Sequence, residues 1–81
     1  MNISAELSLY PLDANCVDTI KDFIGELNAV PGLEVRTHAL STEIFGDYAL
    51  VMDTISTLTQ RVFERDPSTV LVAKYLNRDR R

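Results

Sequence analysis

Hydrophobic and polar residues alternate strictly along the first ten positions. Ile3, Ala5, Leu7 and Leu9 point one way and Ser4, Glu6, Ser8 and Tyr10 the other, the period of a half-buried strand. Pro11 ends it, because proline has no N–H to give to a ladder. The period then lengthens. Val17, Ile20, Phe23, Ile24 and Leu27 recur at helical spacing after the candidate N-caps Asp13-Ala14-Asn15, which predicts a helix over about residues 14–29. Gly25 inside it costs about 1 kcal/mol relative to alanine, so a close helix-to-sheet approach is expected there. Val30-Pro31-Gly32 stops the helix and turns the chain. Alternation returns over Leu33 to Ala39, with Leu33, Val35 and Thr37 opposite Glu34, Arg36 and His38. The short connection at Ala39-Leu40 implies an antiparallel hairpin into a third strand, Ser41 to Phe45. From Asp47 onward Tyr48, Val51, Ile55, Leu58 and Val62 form a second helical stripe, with Met52 and Phe63 on core or near-core faces. Asp66-Pro67-Ser68 ends that helix. A last strand covers Thr69 to Leu76, and the tail Asn77-Arg78-Asp79-Arg80-Arg81 is expected to be frayed and solvated.

The order strand, helix, strand, strand, helix, strand in 81 residues predicts one α+β domain over residues 1–81, a ferredoxin-like βαββαβ two-layer sandwich with both helices on one face. The expected sheet is antiparallel apart from a parallel central pair formed by the first and third strands. Such a pair brings Tyr10-Pro11 and Gly46-Asp47 to one edge, beside the free backbone N–H groups of both helix starts. A ligand site is therefore expected at that edge or on the open sheet face, where Glu6, Ser8 and Tyr10 lie. A lone core is marginal at this size. Stacking of two open faces would add buried area, predicting a homodimer or a tetramer.

Composition narrows the function. Hydrophobic residues make up 46% and charged residues 25%, as in folded domains. A net charge of −4 and a pI of about 4.7 argue against nucleic acid or an anionic membrane surface as partner and favour a cation. The single cysteine, Cys16, allows no intrachain disulfide and fits a reducing compartment. MNISAEL is not a basic segment followed by an apolar run, and no stretch has the length of a membrane span. The expectation is a cytoplasmic protein without direct membrane insertion. His38 is the one histidine and makes a poor metal constellation, reading better as an edge-strand surface residue. Cys16 has no base placed beside it by sequence. With no triad, phosphate loop or metal cluster, neither catalysis nor a cofactor is expected.

Two segments carry a family resemblance. Ser8-Leu9-Tyr10-Pro11 after an alternating strand, then Ser41-Thr42 with Gly46 four residues on, resembles the YkoF-like family of thiamin and hydroxymethylpyrimidine-binding proteins and the related single-domain thiamine-binding proteins. The likeness spans nearly the whole chain, to Tyr75-Leu76-Asn77. It implies a ferredoxin-like fold, a binding role in transport, salvage or delivery, and a pyrimidine site built from strand residues. Some members carry the domain in tandem, so a homodimer, or a dimer of dimers, would replace the tandem here. Phe45, Asp47 and Tyr48 depart from the residue types of the tandem members.

On that resemblance the candidate ligand residues are Glu6, Ser8, Tyr10, Ser41, Thr42, Glu43 and Gly46. Ser41 and Thr42 have hydroxyls that match the donors and acceptors of an aminopyrimidine, although adjacent strand residues face opposite ways. Turn chemistry and β-propensity also account for them. Glu6 and Glu43 can face a thiazolium cation, or form charge pairs with Arg36 or Lys74. Tyr10 can stack on a flat ring or pack at an interface. Gly46 allows close approach or turns the strand-to-helix corner, and Asp47 reads first as an N-cap. The rival readings are an oligomeric regulatory or structural module without thiamin affinity and, more remotely, an enzyme of the dimeric α+β barrel kind.

Overall fold

The strand and helix periods of the sequence are realised in order. The computed structural model describes residues 1–12 and 16–81, together with the backbone of the first helix from Cys16. The elements are β1 (Asn2–Pro11), α1 (Cys16–Asn28), β2 (Glu34–Thr37), β3 (Thr42–Asp47), α2 (Tyr48–Arg65) and β4 (Thr69–Asn77). The candidate caps Asp13, Ala14 and Asn15 and the side chain of Cys16 lie outside the described residues. The architecture is the ferredoxin-like α+β sandwich. Ile3, Ala5 and Leu7 of β1 and Ile44 of β3 meet Phe23 and Leu27 of α1 and Val51, Ile55, Leu58 and Val62 of α2 in one core. Asp47 caps α2 from an extended backbone, its carboxylate accepting from Ala49 N–H at 3.2 Å. At the far end Asp66 N–H closes on the Val62 carbonyl, and its side chain accepts from Ser68 N–H.

The sheet order is β2-β3-β1-β4 and every neighbouring pair is antiparallel. The expected parallel central pair is thus incorrect. Each helix joins two strands of the same direction, β1 to β2 and β3 to β4, but those partners are not neighbours. The β2–β3 hairpin reverses the chain, so β3 runs against β1. The register sets Asn2 opposite Asp47 and Leu7 opposite Thr42. Gly46-Asp47 therefore sits where β1 begins, and Tyr10-Pro11 at the other end, about 25–30 Å away at the usual strand rise. The two helix starts do not converge, and the ligand edge built on their convergence falls with the parallel pair.

Three further expectations change. Gly25 faces open space, since a Cβ there would meet nothing within 4 Å; no close approach requires it. Phe63 is 46% exposed rather than near-core. The tail does not fray. Arg78 takes a left-handed φ of 73° and turns the chain back over the open face, where its carbonyl accepts from Ser4 Oγ at 2.9 Å while Arg80 N–H donates to the same oxygen at 2.7 Å. The Arg36 and Arg81 guanidinium groups lie 5.4 and 5.5 Å from the centroid of the Phe45 ring. Ser4 and Phe45 belong to the open face by alternation, yet each is only 3% exposed because the tail covers them.

Candidate functional site

Beyond the tail, the open face carries a row of charges set by register. Arg36, Glu43, Glu6 and Lys74 stand side by side across β2, β3, β1 and β4. Two carboxylates directly opposite each other on neighbouring strands are destabilising unless something compensates them. Here the compensation comes from the sides. Lys74 Nζ lies 3.5 Å from Glu6 Oε1, and His38 Nε2 lies 2.7 Å from Glu43 Oε1. Ser41 Oγ donates to Glu6 Oε2 at 3.1 Å. Both carboxylates are half-buried, whereas Lys74 is 71% exposed. An exposed pair of that kind contributes about 0–1 kcal/mol, so a ligand cation could take the place of Lys74 at little cost.

A cavity of about 230 Å³ opens next to this row, between the end of β1, helix α1 and the β2–β3 turn. Its lining combines the hydroxyl-bearing Ser8, Thr37, Ser41 and Thr42 with Tyr10 and His38, over an apolar wall that includes Leu7, Phe23 and Ile24. The turn that shapes it is closed by His38 N–H donating to the Ser41 carbonyl at 2.8 Å. Ser8 Oγ reaches the Leu40 carbonyl at 3.4 Å. Thr42 is buried on the helix side of β3, opposite Leu7, while Tyr10 is half-exposed at the rim.

The structure brings most of the sequence candidates together. Ser8, Tyr10, Ser41 and Thr42 line the cavity, and Glu6 and Glu43 adjoin it on the open face. Gly46 does not join them. It lies four positions along β3 from Thr42, about 13 Å away, and a Cβ there would come within 3.4 Å of the Gly32 carbonyl oxygen and of Leu33. Gly46 is thus buried against its own chain, away from the cavity. His38, read from sequence as an edge-strand surface residue, proves to be both a cavity residue and the partner of Glu43. The signal was its place one residue before the hairpin turn, a position that strand alternation alone does not interpret. Two larger hollows, about 410 Å³ between the helices and about 680 Å³ beside α2 and β4, also carry hydroxyls and carboxylates, Thr54, Thr57, Glu26 and Asp53 in the first and Ser56, Thr59 and Glu64 in the second, but neither is lined by any of the sequence candidates. Among the described residues no three or more histidine, cysteine, aspartate or glutamate side chains gather as metal ligands. No described helix is long and apolar enough to cross a membrane.

No family model and no curated protein matches the chain. Solved structures do. A Streptococcus pneumoniae protein shares the fold at a TM-score of 0.88 with 15% identity, over 99% of this chain and 90% of its own. A candidate thiamine biosynthesis/salvage protein of Thermotoga maritima aligns at a TM-score of 0.84 with 14% identity, covering 96% and 85%. A hypothetical protein of Methanocaldococcus jannaschii aligns at 0.81 with 23% identity, covering 99% and 84%. At these identities the likeness is one of fold.

Proposed function

We propose that this protein is a non-enzymatic binding protein for thiamin or its hydroxymethylpyrimidine moiety, serving transport, salvage or delivery in the cytoplasm. The observation that carries the reading is the hydroxyl-lined cavity abutting the facing carboxylates Glu6 and Glu43. An aminopyrimidine needs donors and acceptors in alternation around a flat ring, and Ser8, Ser41 and Thr42 supply hydroxyls that act as either. Tyr10 offers a ring face at the rim. The cavity volume speaks for the smaller ligand. An apolar cavity of about 150 Å³ holds benzene, so 230 Å³ suits one substituted ring and falls short of the roughly 300–1,000 Å³ of sites for larger ligands. Thiamin would extend out of it, its cationic thiazolium meeting Glu6 and Glu43 on the open face.

The net charge of −4 has the sign that attracts such a cation, and one protein of the same fold carries a thiamine biosynthesis/salvage description. Gly46 has no part in this site. A homodimer or tetramer with the cavity near a subunit interface belongs to the same reading. The alternative, an assembly module without thiamin affinity, draws support from the pairing of both carboxylates within the chain, by Lys74 and His38. Calorimetry separates the two. Saturable binding of hydroxymethylpyrimidine and thiamin, weakened by Ser41→Ala, supports the proposal. Flat traces for both ligands and for the thiamin phosphates would leave the assembly role.

A further inference from the structure

The seam between the two helices is a ladder of charges that stops short. Acidic positions recur four apart on α1, Asp22 and Glu26, and basic ones four apart on α2, Arg65 and Arg61. They pair rung by rung, Arg65 with Asp22 at 2.5 Å and Arg61 with Glu26 at 3.3 Å. The same spacing carried back along α2 reaches Thr57 and then Asp53. Among the described residues neither of these has a partner on α1, which ends at Asn28. That helix has no basic residue in its last turn, so nothing of its own offsets the negative end of its dipole. At the unfinished rung lies the hollow of about 410 Å³, floored by Val30, Pro31 and Leu58. Its volume is within the roughly 300–1,000 Å³ of small-molecule sites. Asp53 on its wall is exposed and makes no ion pair or hydrogen bond among the described residues. Thr54 beside it is only 7% exposed, yet its hydroxyl has no partner among the described residues either. Thr54 belongs to the buried row of α2 with Val51, Ile55 and Leu58. A valine of the same shape there would avoid the cost of desolvating an unpaired hydroxyl. The hydroxyls of Thr59 and Thr69 are unpaired and sealed from solvent, whereas that of Thr54 keeps an opening at the hollow.

We propose that this hollow binds the ammonium group of a small aliphatic amine. With Glu26 taken by Arg61, the unused groups are the Asp53 carboxylate, the Thr54 and Thr57 hydroxyls and a helix end of negative sign, and all of them can accept. A primary ammonium brings three N–H donors and the charge that completes the ladder. Its carbon chain lies along Val30, Pro31 and Leu58, which gain by being covered. A bare metal ion fits less well. Among the described residues no three metal-ligating side chains gather, and the apolar floor offers a metal nothing to coordinate. The net charge of −4 draws the cation in. The hollow shares no lining residue with the hydroxyl-lined cavity, so the inference stands apart from the ligand proposed there.

Amide chemical shifts on titration with butylammonium chloride, against sodium chloride at equal ionic strength, test the site. Shifts are expected at Ala29, Asp53, Thr54 and Thr57 that saturate in about the millimolar range, as befits so small a ligand. Tetramethylammonium, which has the charge without an N–H, should not saturate. Asp53→Asn should weaken butylammonium about tenfold, since it removes the charge from the acceptor, and Thr54→Val a few-fold. Asp53 is exposed, so the first variant keeps the fold and the test does not depend on the second. Four outcomes would overturn the inference: no saturable shift, shifts centred on Glu6 and Glu43 instead, saturation by tetramethylammonium or magnesium chloride at the same residues, or unchanged affinity in Asp53→Asn.

Discussion

The open face of the sheet has two ends that share one alternation of side chains and meet opposite fates. At the end near Asp47, Ser4 and Phe45 are sealed by the chain's own tail, whose backbone uses the Ser4 hydroxyl twice and whose Arg81 lies against the Phe45 ring. At the end near Tyr10 no tail arrives. Ser8, Ser41 and the turn residues 37–40 surround an open cavity, and Glu6 and Glu43 rely on an exposed lysine and histidine. A polar residue on a sheet face is thus not by itself a site. It becomes a candidate where the fold leaves its hydrogen-bonding capacity to something outside the chain.

That contrast can be broken at several levels. The largest effect belongs to the layer beneath both ends. Ile44→Ala, at a fully buried position, should cost about 4 kcal/mol and abolish the distinction by unsettling the whole sheet, read as a lowered urea midpoint. Phe45→Ala acts on the sealed end alone. It should cost about 3 kcal/mol yet leave ligand affinity at the other end within a factor of two once the protein is folded. Glu6→Gln reverses that pattern, weakening thiamin binding about tenfold, or about 1.4 kcal/mol, while unfolding free energy stays within about 0.5 kcal/mol. Gly25→Ala, in an exposed stretch of α1 with room for the Cβ, should stabilise by about 0.5–1 kcal/mol and touch neither end. The gentlest probe is acid. The Asp79 carboxyl is held below its ordinary value chiefly by its hydrogen bond with Arg81. A carboxylate depressed in the folded state stabilises above its unfolded pKa, and that contribution is lost as pH falls through the lower folded one. The tail should therefore loosen below about pH 4, visible as faster exchange of the Arg80 amide, and Asp79→Asn should remove that pH dependence.

Much of the scaffold was legible from periodicity. The alternation of Ile3 to Leu9 and the stripe from Val51 to Val62 told strand from helix and core side from open side, because burial imposes those periods directly. The relative direction of β1 and β3 was misread, since it depends on counting reversals through the hairpin rather than on any local pattern. The tail was misread for a related reason. Its docking rests on a long-range bond between Ser4 and residues 78 and 80, which composition at the terminus does not announce. Within the site, Glu6 and Ser8 were legible as polar positions of the open face, whereas alternation alone left open which of Ser41 and Thr42 faces it. His38 was not legible, because its contact with Glu43 is made across a turn. Gly46 was singled out as well, but it lies against Gly32 and Leu33 of its own chain and not in the cavity.

The most direct test of the proposed site maps the ligand onto both ends at once. Amide chemical-shift changes on titration with hydroxymethylpyrimidine should concentrate at Glu6, Ser8, His38, Ser41, Thr42 and Glu43, saturate, and leave Ser4, Phe45 and Arg80 unmoved. No saturable change, or changes centred on Ser4, Phe45 and the tail, would contradict the account.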